Sequence, residues 1–181
     1  MFYLFMADGT EEVEAIATLD VLRRAGIKTV TAGVGSARIT GSHGIEIKCD
    51  IEAEDIVLDS SLEGVILPGG MPGTVNLEKD ANVQKAIKYC ADNSLFLCAI
   101  CAAPSVLGHA GVLRNKKAVC FPGFEDELTG AEIPDCFVCS DGNVITGKGM
   151  GCAILFGLEI VKAIKGNDAA DKLKASLQCA I

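Results

Sequence analysis

Runs rich in β-branched and aromatic residues alternate along the chain with segments whose apolar positions recur every three or four residues. Strands and helices therefore take turns. Phe2 to Ala7 reads as a first strand. Gly9-Thr10 closes a turn, and Val13, Ile16, Ala17, Asp20 and Val21 then mark a helix face up to a stop at Gly26. Lys28 to Val34 gives a second strand, and Gly41 to Gly44 separates Ile39 from Ile45-Glu46-Ile47 as a hairpin would. Gly64 to Leu67 is a third parallel strand, ending at Pro68-Gly69-Gly70, a turn that lets backbone approach a site closely. Val83, Ala86, Ile87 and Cys90 share a helix face, Leu95 to Ile100 is a central buried strand, and Pro104 to Ala110 is helical. Between Cys136 and Thr146 the Asp141-Gly142 pair reads as a hairpin turn, and helices near Cys152 to Ile164 and Ala169 to Leu177 close the chain. The alternation predicts an α/β fold with a mostly parallel sheet covered by helices on both faces. With no repeat or linker in view, residues 1–181 read as one domain.

Half of the 181 residues are hydrophobic, enough for one sizeable core. The 24 acidic residues outnumber the 16 basic ones, for a net charge of -8, and no basic stretch exceeds Arg23-Arg24 or Lys116-Lys117. That argues against nucleic acid and anionic membranes as partners. The apolar start lacks a basic flank and is short for a leader, so a cytoplasmic location is expected. Nine cysteines, an odd number set mostly among apolar neighbours, fit a reducing compartment. Two C-x-x-C spacings, Cys98 to Cys101 and Cys136 to Cys139, lie far apart in the chain and outside Gly-rich knuckles, which disfavours zinc. A redox pair at Cys98 and Cys101 is also disfavoured, because side chains three apart on a strand point to opposite faces.

The most informative stretch is Leu97-Cys98-Ala99-Ile100-Cys101-Ala102-Ala103-Pro104. A strand ending in a nucleophilic residue, then small residues and a helix start, is the pattern of a nucleophile elbow. A helix N-terminus there would lower the Cys101 thiol pKa. The alternative is one more buried cysteine acting as a small hydrophobe. The segment Asp8-Gly9-Thr10-Glu11-Glu12-Val13-Glu14 puts carboxylates at the end of the first strand, on the edge where open parallel sheets bind ligands. Some of them simply complement a helix dipole. Glu14 lies at the border of the apolar face, where burial would keep it protonated as a donor.

These blocks, together with Asp20-Val21-Leu22-Arg23-Arg24-Ala25-Gly26-Ile27 and Leu67-Pro68-Gly69-Gly70, make the chain resemble the DJ-one branch of the ThiJ/PfpI superfamily, which includes the Parkinson-disease protein deglycase. The resemblance implies a flavodoxin-like sandwich, a reactive cysteine at Cys101, a protonated carboxyl partner at Glu14, and oxyanion-binding N–H groups at Gly70 and Ala102. It implies a homodimer without a cofactor or metal. Members act on small reactive carbonyls as glyoxalases or deglycases, or serve as oxidative-stress sensors and chaperones; an older label is thiazole-monophosphate biosynthesis. The apolar spread of Ile16, Leu19 and Leu22 also predicts that the first helix lies at a dimer seam.

The sequence departs from family patterns at two places. Phe121-Pro122 stands where several relatives carry a histidine before the proline, and Ala102 stands where the protease branch has a histidine after its nucleophile. Peptide hydrolysis is therefore disfavoured. Only His43 and His109 remain: His43, in the Gly-rich hairpin beside the expected seam, and Gly69 are candidate substrate or seam contacts, while His109 reads as structural. Gly147-Lys148-Gly149-Met150-Gly151 reads as a wall of the site, with Lys148 a candidate for an anionic substrate group. Two classes of function follow: carbonyl chemistry through Cys101 and Glu14, or redox response in which Cys101 is oxidised to sulfinate and turnover is incidental.

Overall fold

A computed structural model describes residues 1–179. In chain order the elements are β1 (Phe2–Met6), α1 (Glu12–Arg24), β2 (Thr29–Gly33), β3 (Arg38–Thr40), β4 (Glu46–Lys48), β5 (Ile51–Glu52), β6 (Gly64–Leu67), α2 (Gly73–Lys79), α3 (Ala81–Asp92), β7 (Phe96–Ile100), α4 (Pro104–His109), β8 (Val138–Asp141), β9 (Val144–Gly147), α5 (Ala153–Lys165) and α6 (Asn167–Ser176). Seven strands form one sheet in the order β5-β2-β1-β6-β7-β9-β8, while β3 and β4 make a separate antiparallel hairpin. Every pairing in the large sheet is parallel except β8 with β9. This is the flavodoxin-like sandwich the sequence predicts.

Strand periodicity divides the core into two layers. Tyr3, Phe5, Val65, Leu67, Leu97 and Ala99 meet α3 and α4 on one face. Phe2, Leu4, Met6, Ile66, Cys98 and Ile100 meet α1 and α5 on the other. Helix α3 buries Val83, Ala86, Ile87 and Cys90, the predicted face, and the Asp80 carboxylate caps it by accepting from the N–H groups of Asn82 and Val83 at 2.9 Å each. The β8–β9 hairpin turns at Asp141-Gly142 as expected, with Gly142 in the left-handed region at φ 64°.

Helix α1 departs from the expected face. Val13 and Ile16 are 47% and 42% exposed, whereas Glu12, Glu14, Ala15, Thr18, Val21 and Leu22 are buried. The small side chains Ala15 and Thr18 admit close packing on the sheet, and α5 approaches α1 at Gly157, where a Cβ would lie 3.0 Å from Val21. Leu22 therefore belongs to the core and is unavailable to a seam. Helix α2 has no counterpart in the sequence reading, because its start at Gly73 depends on tertiary contact: a Cβ there would come within 2.5 Å of the Thr10 nitrogen.

Candidate active site

Three neighbouring strands, β1, β6 and β7, deliver their C-terminal ends to one edge of the sheet. The chain turns sharply after β7, and Cys101 takes φ 64°, a conformation costly for a residue with a Cβ. Backbone bonds hold it there: its N–H donates to Gly147 O at 2.9 Å and its carbonyl accepts the Phe121 N–H at 2.7 Å. The Ser105 hydroxyl donates to Ala102 O at 2.7 Å and so fixes the next residue.

Glu14 reaches this turn from the first turn of α1, with the Glu11 side chain capping the helix through the Glu14 N–H at 2.6 Å. Glu14 is 1% exposed. Its Oε2 accepts the Gly69 N–H at 2.8 Å, its Oε1 has no hydrogen-bond partner, and Cys101 lies beside the carboxyl across Gly69. The backbone N–H groups of Ala102 and Gly70 favour the charged form of the Cys101 sulfur. Gly69 must be glycine here, since a Cβ would lie 2.7 Å from Cys101 Cβ and 2.9 Å from Glu14 Oε2. Cys101, Glu14, Gly69, Gly70 and Ala102 thus converge on one point.

Burial pushes the Glu14 carboxyl up to about 7, although its bonds from Cys101 and Gly69 oppose the rise. The expected low thiol pKa requires correction. Burial, and next the Glu14 charge, push Cys101 up to about 12, outweighing the Ala102 and Gly70 N–H groups. Helix α4, with six residues, supplies little dipole. The two groups form one acid–base system. Once Glu14 takes a proton its repulsion disappears, and its O–H can donate to the sulfur. A thiolate at Cys101 would therefore call for a protonated Glu14 beside it.

The other candidates lie outside this cluster. His43 sits on the β3–β4 hairpin, its Nδ1 2.9 Å from Glu12 Oε2 and its N–H donating to Glu12 Oε1 at 2.7 Å. Burial raises the Glu12 pKa, but the His43 bonds win and hold it at about 2. Sequence reasoning missed this anchor because it took the acidic turn as dipole complement. Glu11, Glu12 and His43 bring ligand atoms within 4.8 Å of one another, yet those of Glu12 are committed to these bonds. Lys148 pairs with Asp135 at 3.3 Å and lies 5.7 Å from the Phe137 ring centroid. It lines an apolar cavity of about 570 Å³ with Phe121, Phe137, Gly149, Met150 and Leu155. His109 bridges Glu78 and Glu127, which is structural. Among the described residues no helix is long and apolar enough to cross a membrane.

The family model described as "DJ-1/PfpI family" matches residues 2–163. The chain belongs to the DJ-1/PfpI family. Oxidised DJ-1 from Toxoplasma gondii superposes with a TM-score of 0.94 at 30% identity, covering 99% of this chain and 98% of that one. The glutathione-independent glyoxalase DJR-1.2 of Caenorhabditis elegans is 31% identical over 172 residues, 94% of this chain and 91% of that protein. Protein DJ-1 homolog A of Arabidopsis thaliana is 34% identical over 176 residues, which are 95% of this chain; the chain spans only 45% of that relative's length.

Proposed function

We propose that this DJ-1/PfpI protein converts small reactive carbonyls, with methylglyoxal as the model substrate, through Cys101 and Glu14. The convergence of a buried carboxyl and the Gly70 and Ala102 N–H groups on one sulfur carries the reading. The glyoxalase named among its relatives supports the same substrate class. Glu14 accepts the Cys101 proton as the sulfur attacks the aldehyde carbon, and the carbon–sulfur bond forms as the Gly70 and Ala102 N–H groups stabilise the oxyanion. The former aldehyde hydrogen then moves as a proton to the adjacent carbon, with Glu14 relaying protons, and leaves a thioester. Water cleaves that ester to release the hydroxy acid and restore the thiol. No histidine assists, since Phe121 occupies the family's histidine position, so turnover is slow and peptidase activity is lacking. The test is lactate formation from methylglyoxal by wild type and Cys101→Ser in one assay. Activity retained by Cys101→Ser would refute the assignment.

The half-buried position of Cys101 favours a second reading, in which peroxide converts it to a sulfinate as a stress response. Glycated groups are further candidate substrates. The protein is proposed to work as a cytoplasmic homodimer of one-domain chains. The exposed Val13, Ile16 and Ile45, with half-buried Ala17 and Ile47, form an apolar strip on α1 and the hairpin that offers the seam, which would place His43 beside it. Light scattering at micromolar concentration decides this, and a monomer would remove any role for His43 across a seam.

A further inference from the structure

The His109 bridge touches no group of the Cys101 cluster, yet it joins the segments that build that cluster. Its Nδ1 meets Glu78 Oε1 on α2, and its Nε2 lies 2.7 Å from Glu127 Oε2 in the 3-10 turn Glu125–Glu127. A neutral imidazole has one N–H and one lone pair, so it can donate to only one of two carboxylates. A ring with a carboxylate at each nitrogen is therefore an imidazolium, donating on both sides. The turn also packs closely on α4: a Cβ on Gly108 would lie 2.1 Å from Glu127 O.

Each carboxylate is tied to the site through the backbone. From Glu127 the path is three hydrogen bonds: its N–H donates to Phe124 O at 3.1 Å, the Phe124 N–H to Phe121 O at 3.1 Å, and the Phe121 N–H to Cys101 O at 2.7 Å. Glu78 stands one helical turn after Thr74, whose N–H and hydroxyl both donate to Gly70 O, at 2.8 and 3.0 Å. The two paths thus end on the carbonyls of two residues held at positive φ, Cys101 at 64° and Gly70 at 90°.

We propose that His109 is a positioning residue for Cys101: its imidazolium clamps α2 and the 121–127 segment to α4, and loss of the ring proton opens the clamp. On deprotonation one nitrogen keeps its N–H and its carboxylate, while the other turns a lone pair toward a carboxylate and releases it. The charges that bear on the ring are Glu127 and Glu78, whose hydrogen bonds raise its pKa above 6.5. Elsewhere around α4, Lys88 and Asp92 of α3 pair with each other at 2.9 Å, and Cys98 of β7 faces the opposite layer. With the folded pKa raised, the clamp is complete below pH 6.5 and is lost as the pH climbs through the folded value. The inference does not rest on the carbonyl reading, because it concerns what holds the site in shape rather than what reacts there.

The test is amide exchange at Phe121, Phe124 and Thr74 in the full chain, read by NMR, each variant being compared with wild type at one pH so that intrinsic rates cancel. At pH 6 His109→Ala should exchange these amides about three to ten times faster than wild type, the worth of two partly exposed ion pairs. About two pH units above the pKa that NMR gives for the His109 ring, the gap should close on the arm that lost its donor, at Phe121 and Phe124 or at Thr74. Glu127→Gln is the rescue. Its amide accepts from the charged ring and donates to the neutral one, so protection at Phe121 and Phe124 should persist at both pH values while the ring pKa falls. Equal exchange in wild type and His109→Ala at pH 6, a gap on both arms that ignores pH, a wild-type His109 pKa at or below 6.5, or Glu127→Gln behaving as His109→Ala does would each overturn the proposal.

Discussion

Replacing Glu14 by glutamine tests the buried carboxyl through stability as well as activity. Glutamine keeps an oxygen for the Gly69 N–H, which now donates to Glu14 Oε2 at 2.8 Å, and removes the titrating proton. The folded state raises this carboxyl from 4.5 to about 7 through burial. Below pH 4.5 folded and unfolded chains both hold the proton. As the pH climbs toward 7 the unfolded chain releases it and the folded chain retains it, so stability falls through that window and levels off above it. The full loss amounts to about 3 kcal/mol. Glu14→Gln removes that slope. The variant should match its parent near pH 4 and exceed it by up to about 3 kcal/mol at pH 8. Urea midpoints measured from pH 4 to 8 in a Cys101→Ala background isolate the carboxyl; removing the thiol removes a hydrogen bond that lowers the Glu14 pKa, so the contrast persists. Other titrating groups are common to both chains and cancel in the difference. Parallel pH profiles, or a glutamine variant less stable at pH 8, would refute the buried-carboxyl argument.

Gly69→Ala should drive Cys101 and Glu14 apart, because its Cβ falls 2.7 Å from one and 2.9 Å from the other. A loss of about 1–3 kcal/mol in urea unfolding is expected, with at least a tenfold fall in methylglyoxal turnover. Glu12→Ala leaves the His43 N–H without its protein acceptor and loosens the hairpin from α1. Faster amide exchange at residues 41–46 and a lower His43 pKa by NMR should follow, since hydrogen bonding to Glu12 raises that pKa. Mild peroxide should arrest Cys101 as a two-oxygen adduct in wild type and carry it to three oxygens in Glu14→Ala, which lacks the proton donor; identical end points by mass spectrometry would count against it.

Where local patterning and tertiary packing agree, the sequence was readable. The buried run Phe2 to Met6, the face of Val83, Ala86, Ile87 and Cys90, and the Asp141-Gly142 turn need no distant partner to declare themselves. Helix α1 shows what patterning leaves out. Its most apolar stripe, Val13 and Ile16, faces outward while Glu12, Glu14 and Thr18 go in, because proximity to the sheet edge, to the β3–β4 hairpin and to α5 selects small side chains and hydrogen-bonded carboxyls over hydrophobicity. Periodicity reports the average environment of a face and is misled where a site occupies it.

The same reasoning separates the two C-x-x-C pairs, which spacing alone treats alike. Cys98 lies inside β7 and is wholly buried, whereas Cys101 lies beyond the strand at a positive φ and turns toward Glu14. In the second pair only Cys139 belongs to a strand, and Cys136 lies in the bend at residues 135–137. Strand alternation spans neither pair, because Cys101 lies one residue past the end of β7 and Cys136 two residues before the start of β8. The position of a strand's first or last residue, the least legible feature of a sequence, thus decides whether the alternation rule applies to two thiols three apart.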